Sequence, residues 1–458
     1  MDEALRNLPS VDRLLKHQRI EGLGQAYAHD VVVDLVRQHL DLARTSIAGG
    51  SAGPSPDELA ESICLHAQAL FRAGPQRVIN AAGVILHTNL GRAPLSTQAA
   101  AAMGQAAQGY CNLEIDLHNG RRGSRQVHVE HLLCQVSGAQ AALAVNNNAS
   151  AVLLALSALA RRKEVLVSRG QEVEIGGGFR VPEVMQQSGA RLVEVGTTNR
   201  TYAADYERAI GPRTAAILNV HYSNFKMVGF TESPAIWELV ALGERYGLPI
   251  LDDLGSGCLI DTARFGLDAE PMVQQSVAAG CALSMFSGDK LIGGPQAGLI
   301  VGKREMVERL RRHPLARAVR IDKIRLAGLS TTLLHYLKGE AETQIPVWRM
   351  IAMGREQVEQ RARTWAQAIG EAASVVAGES MVGGGSLPGN TLPTALVSVR
   401  GRGQAQRLAR RLRSQDPPLV GRIERDTLLL DPRTVLPEED EEVLRALKRA
   451  IAADSSDP

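Results

Sequence analysis

Apolar residues recur at helical spacing from the first turns of the chain. Val11, Leu14 and Leu15 follow Ser10, which reads as an N-cap. A second amphipathic run opens at Asp30 and continues to residue 43. A third spans about 57–72 and stops before Gly74-Pro75. The glycine- and proline-rich stretch 49–56 between them has loop chemistry. Residues 1–74 therefore predict a small helical domain. From 75 to 302 the period changes. Short β-rich runs at 141–145, 164–168, 191–195, 215–220, 249–251, 282–286 and 298–301 alternate with helical stretches such as 150–160 and 235–246. That alternation predicts an α/β domain with a mostly parallel central sheet and ligands at the carboxyl ends of its strands. Residues 303–458 read as linker helices to about 372 and then a Gly/Pro turn region at 383–390. A strand at 395–400, a basic helix at 404–414, a hairpin at 421–434 and a helix from Pro437 complete a small α+β C-terminal domain.

Composition narrows the class. A chain of 458 residues holds two or three domains, and its 44 glycines suit close helix–sheet packing. The formal net charge is only +2, so any nucleic-acid surface is local. The five cysteines form no C-x-x-C pair, which argues against a disulfide framework or zinc site and for a reducing, cytoplasmic setting. The Met-Asp-Glu start is not that of a signal peptide, and no apolar stretch reaches 18 residues. No resident metal is expected.

One lysine carries the sharpest chemistry. Ser287-Gly288-Asp289-Lys290-Leu291-Ile292-Gly293-Gly294 follows the apolar run 282–286. A lysine delivered from the core to a glycine-rich turn is desolvated, and desolvation lowers its pKa and makes the amine nucleophilic. Such an amine forms a Schiff base with a carbonyl cofactor. Ser287, three residues earlier, is placed to bind a phosphate, and pyridoxal phosphate carries both the aldehyde and the phosphate.

Other segments fit that reading. Asn146-Asn147-Asn148 lies between a strand and an Ala/Leu-rich helix, where unpaired N–H groups bind phosphate. Asp252 and Asp253 stand at a strand end. Alternation sends them to opposite faces, and the small Gly255 nearby favours Asp253 as the carboxylate facing a pyridine nitrogen. His221-Tyr222-Ser223-Asn224 offers donors for the cofactor's phenolic oxygen. Arg92 follows an apolar strand. Arg317 and Arg320 are three apart, as on one helix face, and guanidinium forks suit oxyanions.

Together these segments resemble the bacterial selenocysteine synthase family, the L-seryl-tRNA(Sec) selenium transferases. The resemblance is carried by the Lys290 motif, by Ile79-Asn80-Ala81-Ala82-Gly83 with His87-Thr88-Asn89-Leu90-Gly91-Arg92, and by Arg122-Gly123-Ser124-Arg125. Gly196-Thr197-Thr198-Asn199-Arg200 and Asp253-Leu254-Gly255-Ser256-Gly257 extend it along nearly the whole chain. It implies a fold-type-I pyridoxal-phosphate transferase, a homo-oligomer built as a ring of dimers (a decamer), and seryl-tRNA(Sec) as substrate. It also implies Lys290 as the Schiff-base lysine with Asp289 needed beside it. Cofactor contacts then fall to Asp253, Asn147, Asn148, Ser287, Ser223 and Asn224, and Arg92, Arg317 and Arg320 hold the selenium donor, selenophosphate. The N-terminal helical domain grips the tRNA. Residues 1–74 hold seven basic and ten acidic residues, net −3, so contact there rests on a few groups such as Arg13, Lys16 and Arg19. The stretch 400–413, with six arginines and no acid, is the stronger electrostatic candidate for backbone contact. Two rivals remain at this level: a lyase of the same lineage acting on a small phosphorylated amino substrate, and a tRNA-binding protein without catalysis.

Overall fold

The computed structural model describes residues 5–71, 74–176, 178–400 and 405–456. The chain separates into two compact units, Met1–Arg77 and Val78–Pro458.

The first unit is helical: α1 (Val11–Leu15), α2 (Gln18–Ala26), α3 (His29–Ala48) and α4 (Pro56–Leu70). Ser10 caps α1 by accepting the Arg13 N–H. Ser55 and Glu58 form a reciprocal capping box at α4, with Pro56 in its first turn. The sequence pattern does not mark α2, because Gly22 and Gly24 dilute its apolar stripe. Leu14, Ile20, Val36, Leu40 and Ile63 fill the core, each with about 1.5–3 kcal/mol of burial behind it. Arg13, Lys16 and Arg19 are exposed.

The second unit is built on a seven-stranded sheet: β1 (Ala141–Val145), β2 (Glu164–Ser168), β3 (Arg191–Val195), β4 (Thr214–Val220), β5 (Ile250–Gly255), β6 (Leu283–Ser287) and β7 (Gly298–Gly302). Their order across the sheet is β1-β7-β6-β5-β4-β2-β3. Only β7 runs antiparallel to its neighbours. β1, β5, β6 and β7 are buried throughout, as expected for strands covered on both faces. The parallel strands send their carboxyl ends to one edge, where 146–148, 221–224, 253–257 and 287–290 gather. Helix α5 (Asn148–Leu159) starts there, and α6 (Lys323–Leu337) follows later in the chain.

A second sheet is antiparallel: β8 (Ala373–Met381), β9 (Thr391–Val399), β10 (Arg422–Glu424) and β11 (Thr427–Leu430), in the order β8-β9-β11-β10. Arg425 and Asp426 both have positive φ, 47° and 56°, the pattern of a two-residue hairpin turn. Helices α7 (Arg355–Ile369), α8 (Ala405–Arg413) and α9 (Asp440–Ser456) share a core with this sheet through Trp365, Leu408, Leu412, Val443 and Leu447. Arg410 and Arg413 are exposed, whereas the 401–404 part of the arginine-rich stretch lies outside the described residues.

The boundary expected at 302/303 falls inside this unit. Residues 79–86 pair with distant C-terminal segments. Ile79–Asn80 pairs in parallel with Leu419–Val420, and Ile85 and Leu86 donate to the carbonyls of Met381 and Val382. Strand pairing over more than 290 positions leaves no local sequence signal. Among the described residues, no helix is long and apolar enough to cross a membrane.

β7 passes so close to the start of α5 that a Cβ on Gly298 would sit 2.0 Å from the Asn147 carbonyl oxygen. That atom is backbone and cannot swing aside. Gly298→Ala is expected to cost about 1–3 kcal/mol, read by urea denaturation. An unchanged midpoint would contradict this packing.

A candidate lysine-centred active site

β6 ends at Ser287, and the chain turns back into β7 through a loop whose residues 287–295 are all buried. Gly288 donates to Ala297 O, Gly294 to Gly288 O and Gly293 to Lys290 O, each at 2.9 Å. The glycines are required by space: a Cβ on Gly288 would lie 2.7 Å from Pro295 O, and one on Gly293 (φ 70°) would lie 2.2 Å from Ile345 Cγ2. The turn therefore holds Lys290 rigidly, with 5% of its surface exposed. Its Nζ lies 3.4 Å from the Gly385 carbonyl oxygen. Burial, and then the Arg92 guanidinium, push the amine below its ordinary value of 10.5, against the pull of Asp253, Asp289 and Glu270.

Arg92 Nη1 lies 2.8 Å from Asp289 Oδ2, and the Ala93 N–H reaches Asp289 O. Arg92 itself has φ 64°, a left-handed conformation that a non-glycine residue holds only when its surroundings fix it. Asp289 and Arg92 thus form a fixed charge pair beside the amine.

Asp253 is 3% exposed and accepts a 2.8 Å hydrogen bond from Asn148 Nδ2. Asp252 faces the other way, bonded to Asn219 Nδ2 at 2.8 Å and to Ser276. Burial pushes both carboxyls up. A bulge between β5 and β6 follows Asp253, and Gly255 (φ 64°) leaves open space. A Cβ there would meet Ser223 Oγ at 3.5 Å and Lys290 Nζ at 3.8 Å, so Asp253, Gly255, Ser223 and Lys290 border one space.

Several expected side chains have other engagements. Asn147 caps α5 by accepting the Ser150 N–H, and Asn148, in the first turn, is turned to Asp253. The start of α5 lies at the carboxyl edge of the sheet, with the Asn148 side chain turned to the Asp253 carboxylate. Ser287 is buried at the strand end and Ser223 is buried beside Lys290. Asn224 is exposed and donates to Glu174 O, away from the lysine. His221 is turned to Glu270, with Nε2 3.2 Å from Oε1.

The arginine pair departs from the helical expectation. Arg317 lies in a short helix, Leu315–Ala318, that ends before Arg320, and Arg320 bridges Val145 in extended conformation. Four residues are too few for an i, i+3 face to persist. Both arginines line a cavity of about 330 Å³ together with Glu114, Arg122, Arg125 and Arg311. Its walls do not include Lys290, Asp289 or Arg92.

A phosphorylated aromatic aldehyde fits the space around Lys290. Asn146 Oδ1, Asn148 Oδ1 and Ser386 Oγ are buried without a hydrogen-bond partner, as polar groups awaiting a ligand are. Gly255 and Gly385 keep side chains out of the volume before the amine. No group of His, Cys, Asp or Glu among the described residues forms a metal site. Sequence reasoning missed Glu270 and treated 383–390 only as a turn. The run Gly383-Gly384-Gly385 was the available signal, since all three residues have positive φ.

This fold and site define a fold-type-I pyridoxal-phosphate-dependent enzyme. The family described as L-seryl-tRNA selenium transferase matches residues 78–436, and the selenocysteine synthase N-terminal family matches residues 5–44. The chain belongs to the L-seryl-tRNA selenium transferase family. The L-seryl-tRNA(Sec) selenium transferase of Carboxydothermus hydrogenoformans is 45% identical, over 99% of this chain and 99% of its own. That of Moorella thermoacetica is 49% identical, over 98% and 97%. Among solved structures, D-glucosaminate-6-phosphate ammonia-lyase superposes with a TM-score of 0.60 at 22% identity, covering 85% of this chain and 99% of that one, a likeness of fold.

A buried lysine with a lowered pKa opposes folding while its unfolded form is protonated. The unfolded chain binds the extra proton between the folded pKa and 10.5, so stability rises with pH across that window. Lys290→Met is therefore expected to stabilise the cofactor-free protein at neutral pH, with the gain shrinking as pH approaches 10.5. Urea denaturation at several pH values measures it. A variant less stable than the parent at pH 7 would contradict the desolvated amine.

Proposed function

We propose that this protein converts the seryl group esterified to tRNA(Sec) into a selenocysteinyl group, using pyridoxal phosphate held at Lys290. The buried lysine just past the end of β6, within electrostatic reach of the buried Asp253, carries the reading. The match of residues 5–44 to the selenocysteine synthase N-terminal family favours it over a small-substrate lyase, which has no use for that unit. A tRNA substrate implies a cytoplasmic location.

Pyridoxal phosphate, when bound, supplies an electron sink that acidifies the substrate's α-carbon proton. Lys290 would hold its aldehyde carbon, Asp253 its pyridine nitrogen, Ser223 its phenolic oxygen, and Ser287 with the α5 terminus its phosphate. Asn148 orients the Asp253 carboxylate through its 2.8 Å bond. Lys290 Nζ, its pKa lowered by burial, takes the proton from the α-carbon. The β-hydroxyl leaves with a proton as water, selenium from selenophosphate adds at the β-carbon while a proton returns to the α-carbon, and water splits the selenium–phosphorus bond to release phosphate. Arg317 and Arg320 bind the donor's phosphate, with Arg92 completing the set. Burial of residues 287–295 keeps bulk water from the intermediate alkene.

The cavity that Arg317 and Arg320 line does not include Arg92, and a ring of dimers would let a neighbouring copy bring the three arginines together. Exposed apolar residues such as Leu117, Val228 and Phe230 give it surface to bury. Sedimentation velocity reads the assembly directly: a decamer fits, and a monomer at working concentration does not.

Incubation with seryl-tRNA(Sec) and selenophosphate, followed by analysis of the ester-linked amino acid, is expected to yield selenocysteine. Unconverted serine would refute the proposal. Lys290→Ala is expected to abolish conversion and the visible absorbance of bound cofactor while the fold persists. Removal of residues 1–77 is expected to abolish tRNA binding and spare cofactor binding; undiminished tRNA affinity would move the RNA contact elsewhere.

A further inference from the structure

Glu270 belongs to none of the motifs, yet it sits at a junction of the segments around Lys290. It is 4% exposed. Its Oε1 lies 3.2 Å from His221 Nε2, and it lines one cavity with Leu387 and Asn390. Burial pushes its carboxyl up, but His221 and the groups around it outweigh that and hold it below the usual carboxylate range. These groups belong to different walls. His221 follows β4 and donates its N–H to Asp253 O. Ser256 follows β5, and its carbonyl accepts the Leu291 N–H, one residue past the lysine. Leu387 lies in the loop whose Gly385 carbonyl meets Lys290 Nζ.

That loop is unusual. Gly383, Gly384, Gly385 and Leu387 all have positive φ, from 49° to 74°. A left-handed path of this length is unstable alone and needs external fixing. A second set of bonds fixes its far end. Asp268 N–H donates to Asn390 Oδ1 at 2.7 Å, and Asn390 Nδ2 donates back to Asp268 Oδ2 at 3.0 Å. Lys226 anchors the same Asp268 carboxylate at 2.9 Å. Thr262 Oγ1 ties the segment together by donating to Asp268 O and accepting the Glu270 N–H.

We infer that Glu270 is a positioning residue for Lys290: with Asp268 and Asn390 it clasps loop 383–390 against the strand ends, so that the Gly385 carbonyl fixes where the lysine amine points. The clasp acts through the loop and does not touch substrate. The inference rests on Lys290 as the cofactor lysine. The charged groups facing that amine are Arg92, Asp253, Asp289 and Glu270. Removing the Glu270 charge therefore lowers the amine's proton affinity.

The test compares Glu270→Gln, which keeps the shape, with Asn390→Ala, which opens the far end at a partly exposed site. Three readouts are taken on the full-length holoenzyme: the pH titration of the cofactor's visible band, steady-state kinetics with seryl-tRNA(Sec), and amide hydrogen exchange. Glu270→Gln is expected to retain the band, move its pH midpoint down, and lower kcat about tenfold or more with little change in KM. In both variants the amides of Ser386, Leu387 and Asn390 are expected to exchange faster while β5 and β6 stay protected. A parental band titration with parental exchange at 386–390 in Glu270→Gln would overturn the inference. So would accelerated exchange through β5 and β6 with Asn390→Ala silent, since that marks a merely structural carboxylate. A band that survives Lys290→Ala would overturn the cofactor assignment and this inference with it, whereas a band lost there and kept in Glu270→Gln leaves the first standing and tests the second alone.

Discussion

Water would keep the amine of Lys290 protonated, and the middle of the large sheet keeps water away from it. The lysine follows β6, a central strand covered on both faces, and enters a turn whose glycines leave no room for solvent or side chains. Its charge environment is arranged around that desolvation. Arg92 pushes the proton off, Asp253 and Asp289 hold against this, and the Arg92–Asp289 pair stops either charge from standing alone. An amine whose pKa is lowered can bind an aldehyde carbon and also move a proton, the two tasks that the proposed function gives it.

The parallel strand order does the gathering. Four strand ends, those of β1, β4, β5 and β6, deliver the α5 terminus, Ser223, Asp253 and Lys290 to one edge. The antiparallel β7 closes the lysine turn by returning directly beside β6. The smaller sheet contributes the fourth wall through loop 383–390. Gly385 therefore borders the space before the lysine amine, although it lies 95 positions from Lys290 in the chain.

Much of this was legible in the sequence because it depends on local chemistry. The alternation of β-rich and helical runs located all seven strands of the large sheet to within a few residues. Strand alternation at Asp252 and Asp253 separated their faces, and the structure gives the two carboxylates different partners. Other features were not legible because they depend on contacts between distant segments. Three-residue spacing placed Arg317 and Arg320 on a helix that ends between them. Asn148 read as a phosphate ligand because its bond to Asp253, 105 positions away, leaves no local trace. Glu270 carried no motif at all, since a clasp is defined only by what it joins. The pairing of residues 79–86 with segments around 381 and 419 was hidden for the same reason.

The most direct measurement is borohydride reduction of the purified, yellow holoenzyme, followed by peptide mass spectrometry. Reduction fixes a carbon–nitrogen double bond between cofactor and lysine as a permanent link. The account predicts a phosphopyridoxyl group on the peptide containing Lys290 and on no other lysine. A modified lysine elsewhere, or an unmodified Lys290 peptide from fully loaded protein, would contradict it.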